Sequence, residues 1–180
     1  MSNPFRPTFG ASPYHWEGRA VVLEEFSRGL AGYPGEPSRS MVIDGTRGIG
    51  KTVLLTELED IAAQHGWIVL RATGRGEAVR TLVDTTIPQK IIELSPPHGR
   101  TVTAVQVSGF RVDTEILDTT EPVPTLGTRM RDLLALLRGT GVLITVDEVQ
   151  DADPDNLSDI AVTHQDLIRD DHHVALAMAG

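Results

Sequence analysis

Residues 41–52 read MVIDGTRGIGKT. A short apolar run ends in Asp44, and the next eight residues carry Gly45, Gly48 and Gly50, then Lys51 and Thr52. Lys51 is one of two lysines in the chain, the other being Lys90. The octet fits G-x-x-x-x-G-K-[ST] at every fixed position, and it lies where a strand would hand over to a helix, the context in which this spacing makes a phosphate cradle. Glycines let the backbone turn until successive N–H groups converge on an anion. The N-terminus of the following helix adds a partial positive charge. Lys51 brings a full charge on a long stem, able to reach β- and γ-phosphates, and the Thr52 hydroxyl is a candidate Mg²⁺ ligand. The plainer reading, a glycine turn beside a solvated lysine, leaves the spacing unexplained.

Working outward, the chain alternates between strand and helix patterns. Apolar runs predict strands at 41–44, 67–72, 142–147 and 174–179. Helical spacing marks 19–32, 51–64, 77–94 and 125–138, and Asp153 with Pro154 starts a last helix ending near Arg169. On the second helix, Leu54, Leu55, Leu58, Ile61 and Ala62 form an apolar stripe with Glu57, Glu59 and Asp60 off it. Pro88 should kink or split the third. Residues 101–117 alternate apolar and polar side chains about Ser108-Gly109, which predicts a half-exposed β-hairpin. Residues 1–18 read as an extended arm, with 19–180 as the core. Continuously apolar strands separated by helices imply an α/β fold, a parallel sheet sandwiched by helices.

A phosphate cradle needs an acid on a neighbouring strand end, and VLITVDE at 142–148 provides one. Asp147 would emerge at the carboxyl edge of the sheet, where ligands bind in open α/β folds, and help hold Mg²⁺. Glu148 follows as a candidate general base for an attacking water. A strand that ends in acids because it ends at solvent is the alternative.

Composition narrows the function classes. The net charge is −9 and the pI about 5.0, so direct nucleic-acid binding by this chain is not expected. The absence of cysteine excludes disulfides and thiolate chemistry. No apolar run reaches the length of a membrane span, and a cytoplasmic protein is the expectation. Asp151, Asp153 and Asp155 resemble the start of a calcium loop, but Asn156 and Val162 occupy the positions that need Gly and Glu. His172 and His173 are adjacent, a poor spacing for one metal. His164 falls on an apolar helix face and reads as a core histidine. Arg47, inside the loop, reads as solvated.

The pairing of GTRGIGKT with VLITVDE about a hundred residues later resembles P-loop ATPases of the AAA+ and related STAND class. The opening NPFRPTFGASPYHWEGR before a helix is similar to the arm and G-R box of Orc1/Cdc6-like bacterial ATPase domains. The resemblance implies a 5-1-4-3-2 sheet, of which the strands here are 1 to 4, with strand 5 and the helical lid absent. It implies ATP and Mg²⁺ as cofactors, nucleotide held along Gly45, Gly48, Ile49, Gly50, Lys51, Thr52 and Val53, and Phe9, Gly18 and Arg19 near the base or ribose. Lys51 and Glu148 would be the catalytic pair, and Thr52 and Asp147 the metal ligands. An open strand 1 implies self-association or a further protein partner. A hydrolysing ATPase coupled to conformational change and a non-hydrolysing nucleotide switch, or truncated remnant, both remain open.

Overall fold

The computed structural model describes residues 19–95 and 123–180. The arm at 1–18, with Phe9 and Gly18, and the hairpin expected at 101–117 lie outside the described residues.

The elements run α1 (Ala20–Leu30), β1 (Ser40–Ile43), α2 (Lys51–Gln64), β2 (Ile68–Thr73), α3 (Ala78–Thr81), a π-helical turn (Leu82–Thr86), α4 (Ile87–Leu94), α5 (Leu126–Leu134), β3 (Val142–Asp147), α6 (Pro154–Arg169) and β4 (Val174–Ala179). The four strands form one sheet in the order β1-β4-β3-β2, every pair parallel. The expected α/β core and its 1-4-3-2 order are therefore observed.

Alternation along the strands explains the layers. Leu143 of β3 and Ala175, Ala177 and Ala179 of β4 pack with Phe26 and Leu30 of α1 and Leu55, Leu58 and Ala62 of α2. Three alanines in a row on that face of β4 leave room for α2 to lie close to the sheet. Val142, Ile144, Val146, Val174 and Leu176 point the other way, into a core with Leu82, Ile87, Met130, Leu133, Ile160 and Leu167. Both faces of β3 are buried from Val142 to Val146, which is why its sequence is an apolar run broken only by Thr145.

Pro88 acts as expected, with a specific geometry. The run from Ala78 to Leu94 stays helical, but the Ile87 N–H bonds Leu82 O, five residues back. This wider turn places Pro88 in the first turn of α4, where its missing N–H is not needed.

Beneath the sheet, Arg39 is 1 % exposed. It donates from Nε to Gly29 O (2.7 Å), and its terminal nitrogens reach Leu30 O (3.1 Å) and Gly32 O (2.7 Å). These carbonyls lie at and just beyond the end of α1, where a helix leaves acceptors short of partners; Gly29 O also accepts from the Gly32 N–H at 2.9 Å. The guanidinium also stands 5.0 Å from the Trp67 ring centroid and 3.2 Å from His173 Nδ1. A guanidinium has no acceptor, so His173 accepts there and its neutral form is favoured. Burial, then the Arg39 charge, hold the His173 pKa below the ordinary histidine value, against the opposing pull of Asp171.

Candidate phosphate and metal site

β1 ends at Ile43, and Asp44 Oδ1 accepts from the Gly45 N–H at 2.7 Å, which starts the loop. Gly48 has φ +86 and Gly50 φ +88, the left-handed region that side chains avoid. A Cβ at Gly48 would meet nothing within 4 Å, so it is backbone conformation rather than crowding that calls for glycine. α2 begins at Lys51 immediately afterwards. Lys51 Nζ lies over the loop, donating to Gly45 O at 2.6 Å and Thr46 O at 3.4 Å. A lysine ammonium drawn onto a glycine-turned loop at a helix N-terminus is an anion site in outline.

Thr52 comes next on α2, and its hydroxyl donates to Asp147 Oδ2 at 2.8 Å. That contact joins residues 95 apart in sequence, bringing together the two groups proposed for one metal. Asp147 is the last residue of β3, and its Oδ1 accepts from the Glu148 N–H at 2.9 Å. Lys51, Thr52 and Asp147 therefore share the carboxyl edge of the sheet. Among the described residues no group of three or more His, Asp or Glu side chains converges. A bound cation would take one hydroxyl and one carboxylate from the protein and its other oxygens from water and phosphate. That donor set suits Mg²⁺, which is bound by few protein groups, so the residues present fit it.

Glu148 has φ 56 and ψ 43, a left-handed conformation uncommon for a residue with a side chain. Its carboxylate accepts from the Gln150 side-chain amide. The backbone is fixed by β2's exit: the Gly74 N–H donates to Asp147 O at 2.7 Å, and a Cβ on Gly74 would come within 2.1 Å of Glu148 O. Only glycine allows that approach. Nearby, Arg75 Nε pairs with Asp151 Oδ2 at 3.0 Å across the two loops.

Arg19 precedes α1 and crosses to the loop. Its guanidinium donates to Gly50 O at 2.9 Å and to Ile49 O. The residue expected near base or ribose is thus tied to the main chain of the phosphate loop. Val53 follows Thr52 in the first turn of α2, and Ile49 is half exposed.

The sequence reading missed Glu59, Gly74 and Gln150. Gln150 lies two residues beyond the acid pair and could have been weighed as its partner. Gly74 and Glu59 carried no local signal.

A family model described as an AAA ATPase domain matches residues 16–176. The chain belongs to the AAA ATPase domain family. Membership implies nucleotide binding and hydrolysis in general, and AAA ATPases generally bind ATP with Mg²⁺. The match spans the loop of this AAA ATPase domain, its acid pair and all of β1 to β3. Comparison with curated proteins and with solved structures yields no match. Among the described residues, no helix of the AAA ATPase domain is long and apolar enough to cross a membrane.

Proposed function

We propose that this chain binds Mg·ATP on the loop from Gly45 to Val53 and hydrolyses it, with conformational change as the output, as a member of the AAA+/STAND class close to Orc1/Cdc6-like ATPases. The observation that carries the reading is the 2.8 Å contact between Thr52 and Asp147, made by the residue that follows Lys51, whose ammonium is drawn onto the loop backbone. Mg²⁺, when bound, would supply charge neutralisation to the polyphosphate. Thr52 and Asp147 would hold it. The loop N–H groups and Lys51 bind phosphate, with Lys51 exchanging its carbonyl contacts for phosphate oxygens. Glu148 orients the attacking water and accepts its proton. Arg19 holds the loop backbone in shape through Gly50 O and Ile49 O and would lie near the base or ribose.

A non-hydrolysing nucleotide switch is favoured by one observation: the Gln150 amide engages a Glu148 carboxylate oxygen, which competes with water for that acceptor. The same purified protein separates the readings. Lys51→Ala is expected to abolish measurable ATP binding by calorimetry. Glu148→Gln is expected to keep affinity within a few-fold and to lower single-turnover phosphate release at least a hundredfold, within the ordinary range for general-base catalysis of about 10²–10⁴. Unchanged affinity in the lysine variant sinks the site assignment. Wild-type protein that binds ATP and releases no phosphate selects the switch.

A further inference from the structure

We infer that Glu59 is a positioning residue for the metal pair, locking the helix that carries Thr52 in register with the strand that carries Asp147. The inference rests on the Mg·ATP reading above.

Glu59 is 7 % exposed. A buried carboxylate is costly unless its oxygens are satisfied, and both are. Oε1 accepts from the Thr145 hydroxyl at 2.6 Å, and Oε2 from Arg71 Nε at 2.6 Å. Thr145, itself 2 % exposed, and Arg71 are register partners on β3 and β2, so their side chains leave the same face of the sheet. Thr145 and Asp147 share that face by alternation. Two polar rungs therefore cross from α2 to β3: Thr52 to Asp147, and Glu59 to Thr145. A cleft of about 160 Å³ runs between them, lined by Thr52, Thr56, Glu59, Arg71, Thr145 and Asp147.

The spacing of the rungs requires a glutamate. Thr52 and Glu59 are separated by about 10.5 Å of helix rise. Thr145 and Asp147 are separated by roughly 6.7 Å of strand. Helical side chains tilt toward the helix N-terminus, so the longer glutamate reaches back toward Thr52 and closes the difference of roughly 4 Å. An aspartate stops one carbon short. The apolar contacts of Leu55 and Leu58 hold α2 on the sheet, and the transfer of apolar surface that drives them is itself non-directional. A hydrogen bond at the second rung fixes the position of α2 along the strands, and with it the distance between Thr52 Oγ1 and the Asp147 carboxylate.

The test uses a fluorescent ADP analogue, titrated in EDTA and then against Mg²⁺. Thr145→Val removes the hydroxyl at nearly constant volume, Glu59→Ala removes the acceptor, and Glu59→Gln keeps an acceptor for Thr145. Groups that orient metal ligands are commonly worth 10–100-fold in metal affinity. Thr145→Val and Glu59→Ala are expected to raise the Mg²⁺ concentration for half-maximal effect about tenfold. Their affinity in EDTA should stay within about twofold, being set by loop amides and Lys51, and Glu59→Gln, which keeps an acceptor for Thr145 but loses the Arg71 contact, should have a Mg²⁺ midpoint closer to wild type than to Glu59→Ala. A Mg²⁺ midpoint unchanged in folded Thr145→Val overturns the inference. So does an equal loss of affinity in both buffers, which would mark a merely structural pair. If Glu59→Ala does not fold, the other two variants decide. Wild-type protein that binds in neither buffer instead removes the Mg·ATP reading itself, and the inference with it.

Discussion

His164 is buried on α6, and the Ser40 hydroxyl stands 3.5 Å from its Nε2. Burial lowers its pKa from the ordinary value. The folded state therefore takes up a proton less readily than the unfolded chain. Stability from this residue is complete above the unfolded pKa of about 6.5, declines as pH falls below it, and levels off once the folded pKa has been passed. His173 is shifted in the same direction and adds to the effect. The thermal midpoint is expected to fall between pH 7.5 and 5.5, and less steeply in His164→Gln, as followed by circular dichroism. The sequence marked His164 as a core histidine from its helical face alone. Lys51, Thr52 and Asp147 were equally legible, because a phosphate loop fixes its residues by short spacing and a strand end fixes the acid. Glu59 was not legible. Helical periodicity assigned it to the polar side of α2, while the partners that let it be buried stand 12 and 86 positions away. No local pattern reports such a pairing.

At the scale of elements, β3 and β4 fall on the predicted residues, since both are buried on two faces and read as unbroken apolar runs. β1 and β2 shift by one residue, and α5 ends at Leu134 rather than 138, where the Leu136 and Leu137 N–H groups turn to carbonyls three residues back. Chain ends of this kind are settled by turn geometry, which apolar spacing does not encode. The link between α1 and β1 depends on Arg39, to which the sequence reading gave no role. Arg39→Met would keep much of the side-chain volume and leave the Leu30 and Gly32 carbonyls without that donor, while Gly29 O keeps the Gly32 N–H. Buried unsatisfied groups cost about 1–3 kcal/mol each; partial access to water through the Gly32 end reduces the sum. A loss of roughly 2–4 kcal/mol is expected from urea unfolding. A change below about 0.5 kcal/mol, the ordinary surface range, would show the carbonyls to be satisfied by water.

For the whole molecule, the sheet order was legible from family resemblance and the layers from alternation. Among the described residues β1 pairs with β4 alone, and Val42 on it is 67 % exposed. Open strand edges with apolar side chains invite pairing with another chain. The purified 180-residue chain is accordingly expected to self-associate with rising concentration in sedimentation velocity, and Val42→Lys to shift it toward monomer. Equal behaviour of the two proteins would place any association elsewhere. The left-handed backbone at Glu148 carries a wider consequence. Non-glycine residues in such conformations cost on the order of 1–3 kcal/mol, a sizeable share of the 5–15 kcal/mol that typically separates a native domain from its unfolded chain. The position where turnover would demand a carboxylate is one where durability alone would select a residue with no side chain, so selection for catalysis and selection for robustness pull this corner of the molecule in opposite directions.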